Sequence, residues 1–170
     1  VRNAPNIRPI EDSDRYWVRH LLEERWGSSR VVTLGTIHDA AALPAIVALL
    51  GQKRVGLLTY SIDKRSCEVV SLNSLVSNAG VGTQLLQSLQ LIASDKGCDR
   101  VWLCTTNDNT HALKFYQKRG FTIARVNVDV IAEYRKIKPE IPESGEDDIP
   151  IRDEIVLEKK LTWQAEVESK

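Results

Sequence analysis

The stretch Leu72-Asn73-Ser74-Leu75-Val76-Ser77-Asn78-Ala79-Gly80-Val81-Gly82-Thr83-Gln84-Leu85-Leu86 carries residues able to hold an anion. Alternation around Val70, Leu72, Ser74 and Val76 reads as a strand, and apolar spacing at Val81, Leu85, Leu86, Leu89, Ile92 and Ala93 reads as a helix. Between them, Gly80 and Gly82 remove the side chains that would keep a phosphate from the unpaired N–H groups of the helix start, where the peptide dipoles leave partial positive charge. A P-loop needs Gly-Lys-Ser/Thr, but Gly82 is followed here by Thr83 and Gln84. A dinucleotide fingerprint needs a third small residue where this chain has Leu85, and it belongs in a first βα unit. Glycines before a helix also occur in chains that bind nothing there.

Other chemistry is weakly marked. Cys67, Cys98 and Cys104 form neither a C-x-x-C pair nor a zinc pattern with His20, His38 or His111, so no metal is expected. Cys104 ends the apolar run Val101-Trp102-Leu103-Cys104 and reads as a buried thiol acting as a small hydrophobe. The 23 basic and 23 acidic residues leave no net charge, which disfavours generic attraction to nucleic acid or an anionic membrane. No apolar run approaches the ~20 residues of a membrane span, and no charged-then-apolar leader is visible. A cytoplasmic location is the expectation.

The elements that must position these residues follow from the same patterns. At 170 residues, 42% of them hydrophobic, the chain can bury one domain's core without staples. Residues 7–10 read as a short edge strand because Pro9 cannot donate to a ladder. Glu11-Asp12-Ser13-Asp14 opens a helix carrying Trp17, Val18, Leu21, Leu22 and Trp26, which Gly27 stops. A strand is predicted over 31–34, then a loop over 35–43 with His38 and Asp39, then three strands over 45–50, 54–61 and 68–76. Their short connections imply an antiparallel meander. The next helix runs from near Thr83 to Lys96-Gly97, and a buried strand covers 101–106. Asn107-Asp108-Asn109 caps a helix over 111–119, and 121–134 alternates as a long strand. Residues 135–153, with Pro139, Pro142, Pro150 and the acidic run Glu143 to Asp148, read as a polar excursion. A strand over 154–161 and a loose tail over 162–170 complete a single domain spanning 1–161.

This order of elements resembles the GNAT superfamily of acyl-CoA-dependent N-acyltransferases over nearly the whole chain. That family's phosphate-turn signature, Q/R-x-x-G-x-G/A, is matched by Ser77-Asn78-Ala79-Gly80-Val81-Gly82 at both glycines but not at its first position. A second signature, N-x-x-A-x-x-F-Y-x-x-x-G-F, is matched at every defined place by Asn109 through Phe121. The resemblance implies an α+β fold with a mixed, mostly antiparallel twisted sheet flanked by helices. Segment 135–153 exceeds the family's usual final connection and reads as an insertion.

The resemblance also implies acetyl-CoA as co-substrate, with no metal, and transfer of a short acyl group to an amine in a ternary complex. The pyrophosphate would lie on the amides of Gly80, Val81, Gly82 and Thr83. The pantetheine arm would pair with the strand near Leu75 and Val76, whose end is marked by Ser74 or Val76, and a backbone N–H there would polarise the thioester. Tyr116 would protonate the leaving thiolate, and Asn109 would cap its helix and touch the cofactor arm. Glu68 is the candidate base and His38 a second, in the region that often forms the acceptor pocket. Trp26 is either core or a pocket wall. The acceptor could be an amino acid, a polyamine, an aminoglycoside-like drug or a protein amine, and family members are often homodimers. The competing reading is a non-catalytic acyl-CoA-sensing or partner-binding domain.

Overall fold

Apolar runs separated by left-handed turns at Gly51 (φ 59°) and Lys64 (φ 52°) make three consecutive strands in this computed structural model: β4 (Ala45–Leu50), β5 (Lys53–Asp63) and β6 (Ser66–Ser74). They form the predicted antiparallel meander. The structure describes residues 4–77 and 79–162, so most of the predicted tail and Asn78 of the glycine motif lie outside the described residues. Helix α2 (Val81–Asp95) crosses from β6 to β7 (Arg100–Thr106), and the two strands run parallel, as a crossover helix requires. β9 (Glu154–Lys160) pairs antiparallel with β7 on one side and with β8 (Thr122–Asn127) on the other. With β1 (Asn6–Pro9) on β4, the sheet order is β1-β4-β5-β6-β7-β9-β8. Mixed and mostly antiparallel, it matches the expected fold class.

Leu57 and Leu58, neighbours in β5, belong to different buried clusters and therefore mark the two faces of the sheet. Leu58 packs with Val81, Leu85 and Leu89 of α2 and with Tyr116 of α3 (Thr110–Gln117). Leu57 packs with Val18, Leu21 and Leu22 of α1 (Arg15–Trp26). Asp14, fully buried at the start of α1, receives Arg8 of β1 (2.6 Å) and Arg54 of β5 (2.8 Å), which fixes the helix to the sheet edge.

Two expectations are corrected. The loop predicted over 35–43 is largely a second strand: Leu34 (φ 48°) and Gly35 (φ 75°) form a tight turn joining β2 (Arg30–Thr33) to β3 (Thr36–Asp39). Two consecutive positive φ angles are what a two-residue hairpin turn demands, although leucine is an unusual residue for it. The long strand predicted over 121–134 is broken at Asp129 (φ 58°), after which the chain forms α4 (Ile131–Ile137). Val126, Val128, Val130, Ala132 and Tyr134 keep an apolar residue at every second position through the break, whereas the burial of Ile131 and Tyr134, three apart, is that of one helical face.

The polar excursion is consequently shorter and well anchored. Tyr134, Ile131 and Ile151 pack against Val32 of β2, while Lys138 Nζ donates to Arg30 O (2.7 Å). Asn107 accepts from Arg152 N and Asp153 N, both at 2.9 Å. Helix α4 and the segment after it thus roof the β2–β3 hairpin.

Candidate active site

Gly80 caps α2 in the left-handed conformation (φ 69°), and the first backbone bond that closes the helix runs from Gln84 N to Gly80 O (3.0 Å). The N–H groups of Val81, Gly82 and Thr83 therefore have no helix partner, which is the condition an anion seat at this turn requires. Gly82 has a second role: a Cβ there would stand 3.2 Å from Phe115 Cζ, so its lack of a side chain lets α3 pack on α2.

Arg119, just past α3, reaches the same place. Its Nε and Nη2 donate to Thr83 Oγ1 (3.0 and 2.6 Å), its Nη1 donates to Phe115 O (2.7 Å), and its guanidinium stacks 3.6 Å from the Phe115 ring centroid. Among the described residues it has no carboxylate partner. Three hydrogen bonds leave part of a guanidinium's five N–H groups free beside the helix start, where Ser77 offers no cation. Sequence reading missed Arg119 because the signature it lies in leaves that position undefined.

The strands beside the turn diverge. Pairing of β6 with β7 ends at Val69↔Leu103, although β6 continues to Ser74 and β7 to Thr106. A bulge falls at the same point, since Thr59 pairs Ser71 while Tyr60 pairs Val69, leaving Val70 extra in β6. The free strand edge is thus 70–74, upstream of Leu75 and Val76. Leu75 has turned out of the strand and donates its N–H to Val55 O (2.9 Å), so that donor is occupied, and Ser74 is the strand's end.

Tyr116 is buried against Phe115 and Phe121, with ring centroids 5.1 and 5.5 Å away. Its hydroxyl has no hydrogen-bond partner among the described residues, and burial pushes its pKa up, with the Arg119 charge pulling the other way. Asn109 caps α3 by accepting from Ala112 N (3.0 Å).

On the α1 face the fold brings the two candidate bases together. Glu68 of β6 is buried, and its Oε2 lies 3.4 Å from Nε2 of His38 on β3, which in turn is 3.0 Å from Thr33 Oγ1 on β2. Glu68 Oε1 is buried without a partner. Burial raises the Glu68 pKa; Thr33 and His38 oppose the rise and the Glu154 carboxylate adds to it. Glu154 accepts from Leu34 N (3.0 Å), Asn127 Nδ2 (2.8 Å) and Tyr134 Oη (2.9 Å), which pins the hairpin and α4 over Glu68. Trp26 stands elsewhere, toward the far end of β6, its Nε1 donating to Asn73 Oδ1 (3.1 Å) while Asn73 Nδ2 has no partner. Thr33, Glu154 and Asn73 carried no signal in the sequence, because only the hairpin and the sheet register make them neighbours of Glu68, His38 and Trp26.

Cys67 and Cys98 are buried, and desolvation pushes the Cys67 thiol up to about 12. Cys104 is raised further, by burial first and then by Glu154, so none of the three is poised as a thiolate. Among the described residues no three His, Cys, Asp or Glu side chains gather as a metal site, and no helix is long and apolar enough to cross a membrane.

Comparison with known proteins agrees with this geometry. The acetyltransferase (GNAT) family matches residues 7–121. Two Bacillus subtilis proteins described only as uncharacterized are close in sequence. YxbD is 38% identical across 92% of this chain and 99% of its own, and YdhI is 37% identical across 91% and 98%. Among solved structures, a Bacillus subtilis acetyltransferase in complex with CoA aligns over 93% of this chain and 99% of its own (TM-score 0.69, 19% identity). A GNAT family acetyltransferase from Elizabethkingia anophelis with acetyl-CoA bound covers 94% and 99% (TM-score 0.68, 22% identity). With the family's sequence pattern spanning well over half of its length, the chain belongs to the acetyltransferase (GNAT) family.

Proposed function

We propose that this protein transfers an acetyl group from acetyl-CoA to a primary amine by direct attack in a ternary complex. One observation carries the reading: β6 and β7 separate immediately after the residue that follows Glu68, and the edge so freed leads toward the three unpaired amides of α2. A pantetheine arm has the hydrogen-bonding groups to lie along residues 70–74 as an added strand, with its diphosphate on Val81, Gly82 and Thr83. The thioester then reaches the bulge at Val70, next to Glu68.

The chemistry assigned to this chain's residues needs no covalent enzyme intermediate. Glu68 removes a proton from the acceptor ammonium, and the free amine forms a C–N bond to the thioester carbonyl carbon. A backbone N–H at the bulge stabilises the oxyanion. Collapse breaks the C–S bond, Tyr116 gives its proton to the departing thiolate, and the second proton, shed by the newly bonded nitrogen as the neutral amide forms, returns through solvent to the phenolate. The direct test is thiol release from acetyl-CoA with a panel of amines. Tight acetyl-CoA binding with no turnover on any amine would instead favour a sensing domain.

Two substitutions probe the cofactor seat. Gly82→Asp places a negative charge at the anion seat and a side chain against Phe115, so CoA affinity is expected to fall by about tenfold or more, equivalent to ~1.4 kcal/mol. Because the Phe115 contact makes that change a packing lesion as well, Arg119→Gln is the cleaner variant. It should weaken acetyl-CoA binding and flatten its salt dependence, since a screened charge is lost. Calorimetric affinity equal to wild type in both folded variants would remove the turn from the binding site.

A further inference from the structure

A cavity of about 410 Å³ opens on the Glu68 side of the sheet, lined by residues that include Asp63, Lys64, Arg65, Glu68, Arg100 and Trp102. Its rim is the exposed β5–β6 turn at Asp63, Lys64 and Arg65, and Glu68 is the one buried residue in its lining. Glu68 is therefore the floor. One residue further along, β6 separates from β7 at Val69↔Leu103, so the cavity ends where the cofactor's cleft begins. The cofactor and whatever fills this cavity would approach the same point from opposite ends of β6.

We infer that this cavity receives the acceptor, and that the acceptor is a small primary amine bearing an anionic group, carboxylate or phosphate, a few bonds from its nitrogen. The inference rests on the acetyltransferase reading and adds the acceptor's path and class to it. The amine end is set by Glu68, whose buried Oε1 has no partner. An ammonium is the complement of that atom, since a buried carboxylate oxygen without a donor is destabilised until one arrives. The anionic end is set by Arg100. It lies directly across from Ser66, two residues or about 6.6 Å along the strand from Glu68.

Arg100 is held in place without being exhausted. Its Nε donates to Ser66 Oγ (2.8 Å), its Nη1 to Glu158 Oε2 (2.7 Å), and its guanidinium lies 5.9 Å from the Trp102 ring centroid. Nη2 makes no hydrogen bond among the described residues. A guanidinium oriented by two bonds and an aromatic ring, with N–H groups left over, is suited to a carboxylate or phosphate. Glu158 partly offsets its charge, and at the rim Asp99 pairs with Arg65 while Asp63 balances Lys64, so the selectivity is set by the unused N–H groups of Arg100 itself and not by a general positive field. A polyamine or a plain alkylamine would place a cation or a methyl group against Arg100, and is discriminated against.

The test compares amines of similar length: β-alanine and 2-aminoethyl phosphate carry the anion, propylamine lacks it, and 1,4-diaminobutane reverses it. With the full-length protein and saturating acetyl-CoA, the anion-bearing amines should exceed propylamine about tenfold in kcat/KM, chiefly through KM. The better of the two identifies carboxylate or phosphate. Arg100→Gln should erase the preference and Arg100→Glu should invert it toward 1,4-diaminobutane, with Arg100→Lys retaining it and the acetyl-CoA KM unchanged throughout. Calorimetry with CoA-loaded protein reads the same order without turnover. Propylamine used as well as the better of the two anion-bearing amines, a preference that survives Arg100→Glu, or no binding of either anion-bearing amine to CoA-loaded protein would overturn the inference. Failure of the protein to bind CoA at all would instead remove the acetyltransferase reading beneath it.

Discussion

Glu68→Gln is expected to lower kcat by ~10²–10⁴-fold while leaving the acetyl-CoA KM unchanged, the usual scale for losing a positioned general base. Glutamine keeps the volume and a hydrogen-bonding oxygen, so the packing under Thr33 and His38 survives and only the proton acceptor goes. Burial raises the Glu68 pKa above its ordinary 4.5, with Glu154 adding to the rise against Thr33 and His38. The base works ionised, so wild-type activity should fall as pH drops through that raised value, and this acid limb should vanish in the variant.

Stability should move the other way. A carboxyl whose pKa is raised by folding contributes fully to stability below its unfolded pKa and loses that contribution as pH rises through the folded one. Wild type therefore carries an ionised, desolvated carboxylate at neutral pH that glutamine does not, and Glu68→Gln should melt at or above the wild-type temperature there. A slow enzyme of undiminished stability is the signature of a functional carboxylate. Wild-type turnover with the acid limb intact would hand the base's role to water or to His38.

How far such residues could be found beforehand depended on whether their neighbours were near in sequence. The glycine turn, the α3 cap at Asn109 and Tyr116 are written in contiguous residues, and the strands around them have short connections, so their placement was legible. The partnership of Glu68 with His38 was not, because it needs the β2–β3 hairpin folded across β6, and that hairpin turns on a leucine at positive φ, which no turn propensity favours. The divergence of β6 and β7 was legible only by resemblance. Its position at Val69 rather than beyond Leu75 depends on the bulge at Val70, a one-residue shift in pairing that leaves no mark in apolar alternation. Helix α4 was misread because Val126, Val128, Val130, Ala132 and Tyr134 carry apolar alternation past the break at Asp129, while the helical signal, Ile131 and Tyr134 buried three apart, spans a single turn.

Tyr116→Phe should lower turnover by ~10²–10⁴-fold with little change in acetyl-CoA affinity. The hydroxyl has no hydrogen-bond partner among the described residues, and the ring is packed edge-on against Phe115 and Phe121. Phenylalanine keeps those contacts and removes a hydroxyl that makes no hydrogen bond to the described residues, so the variant should be about as stable as wild type. Burial raises the phenol's pKa, so the hydroxyl keeps its proton at neutral pH and is available as a donor when the C–S bond breaks. The loss in the phenylalanine variant should therefore be uniform with pH across the neutral range. It should also depend on the leaving group: an acetyl thioester whose thiol is more acidic than that of CoA needs less help, and its transfer should be impaired far less than that of acetyl-CoA. A variant that turns over acetyl-CoA at the wild-type rate, or that loses equally on both thioesters, would show that Tyr116 only fills the core and that water protonates the thiolate.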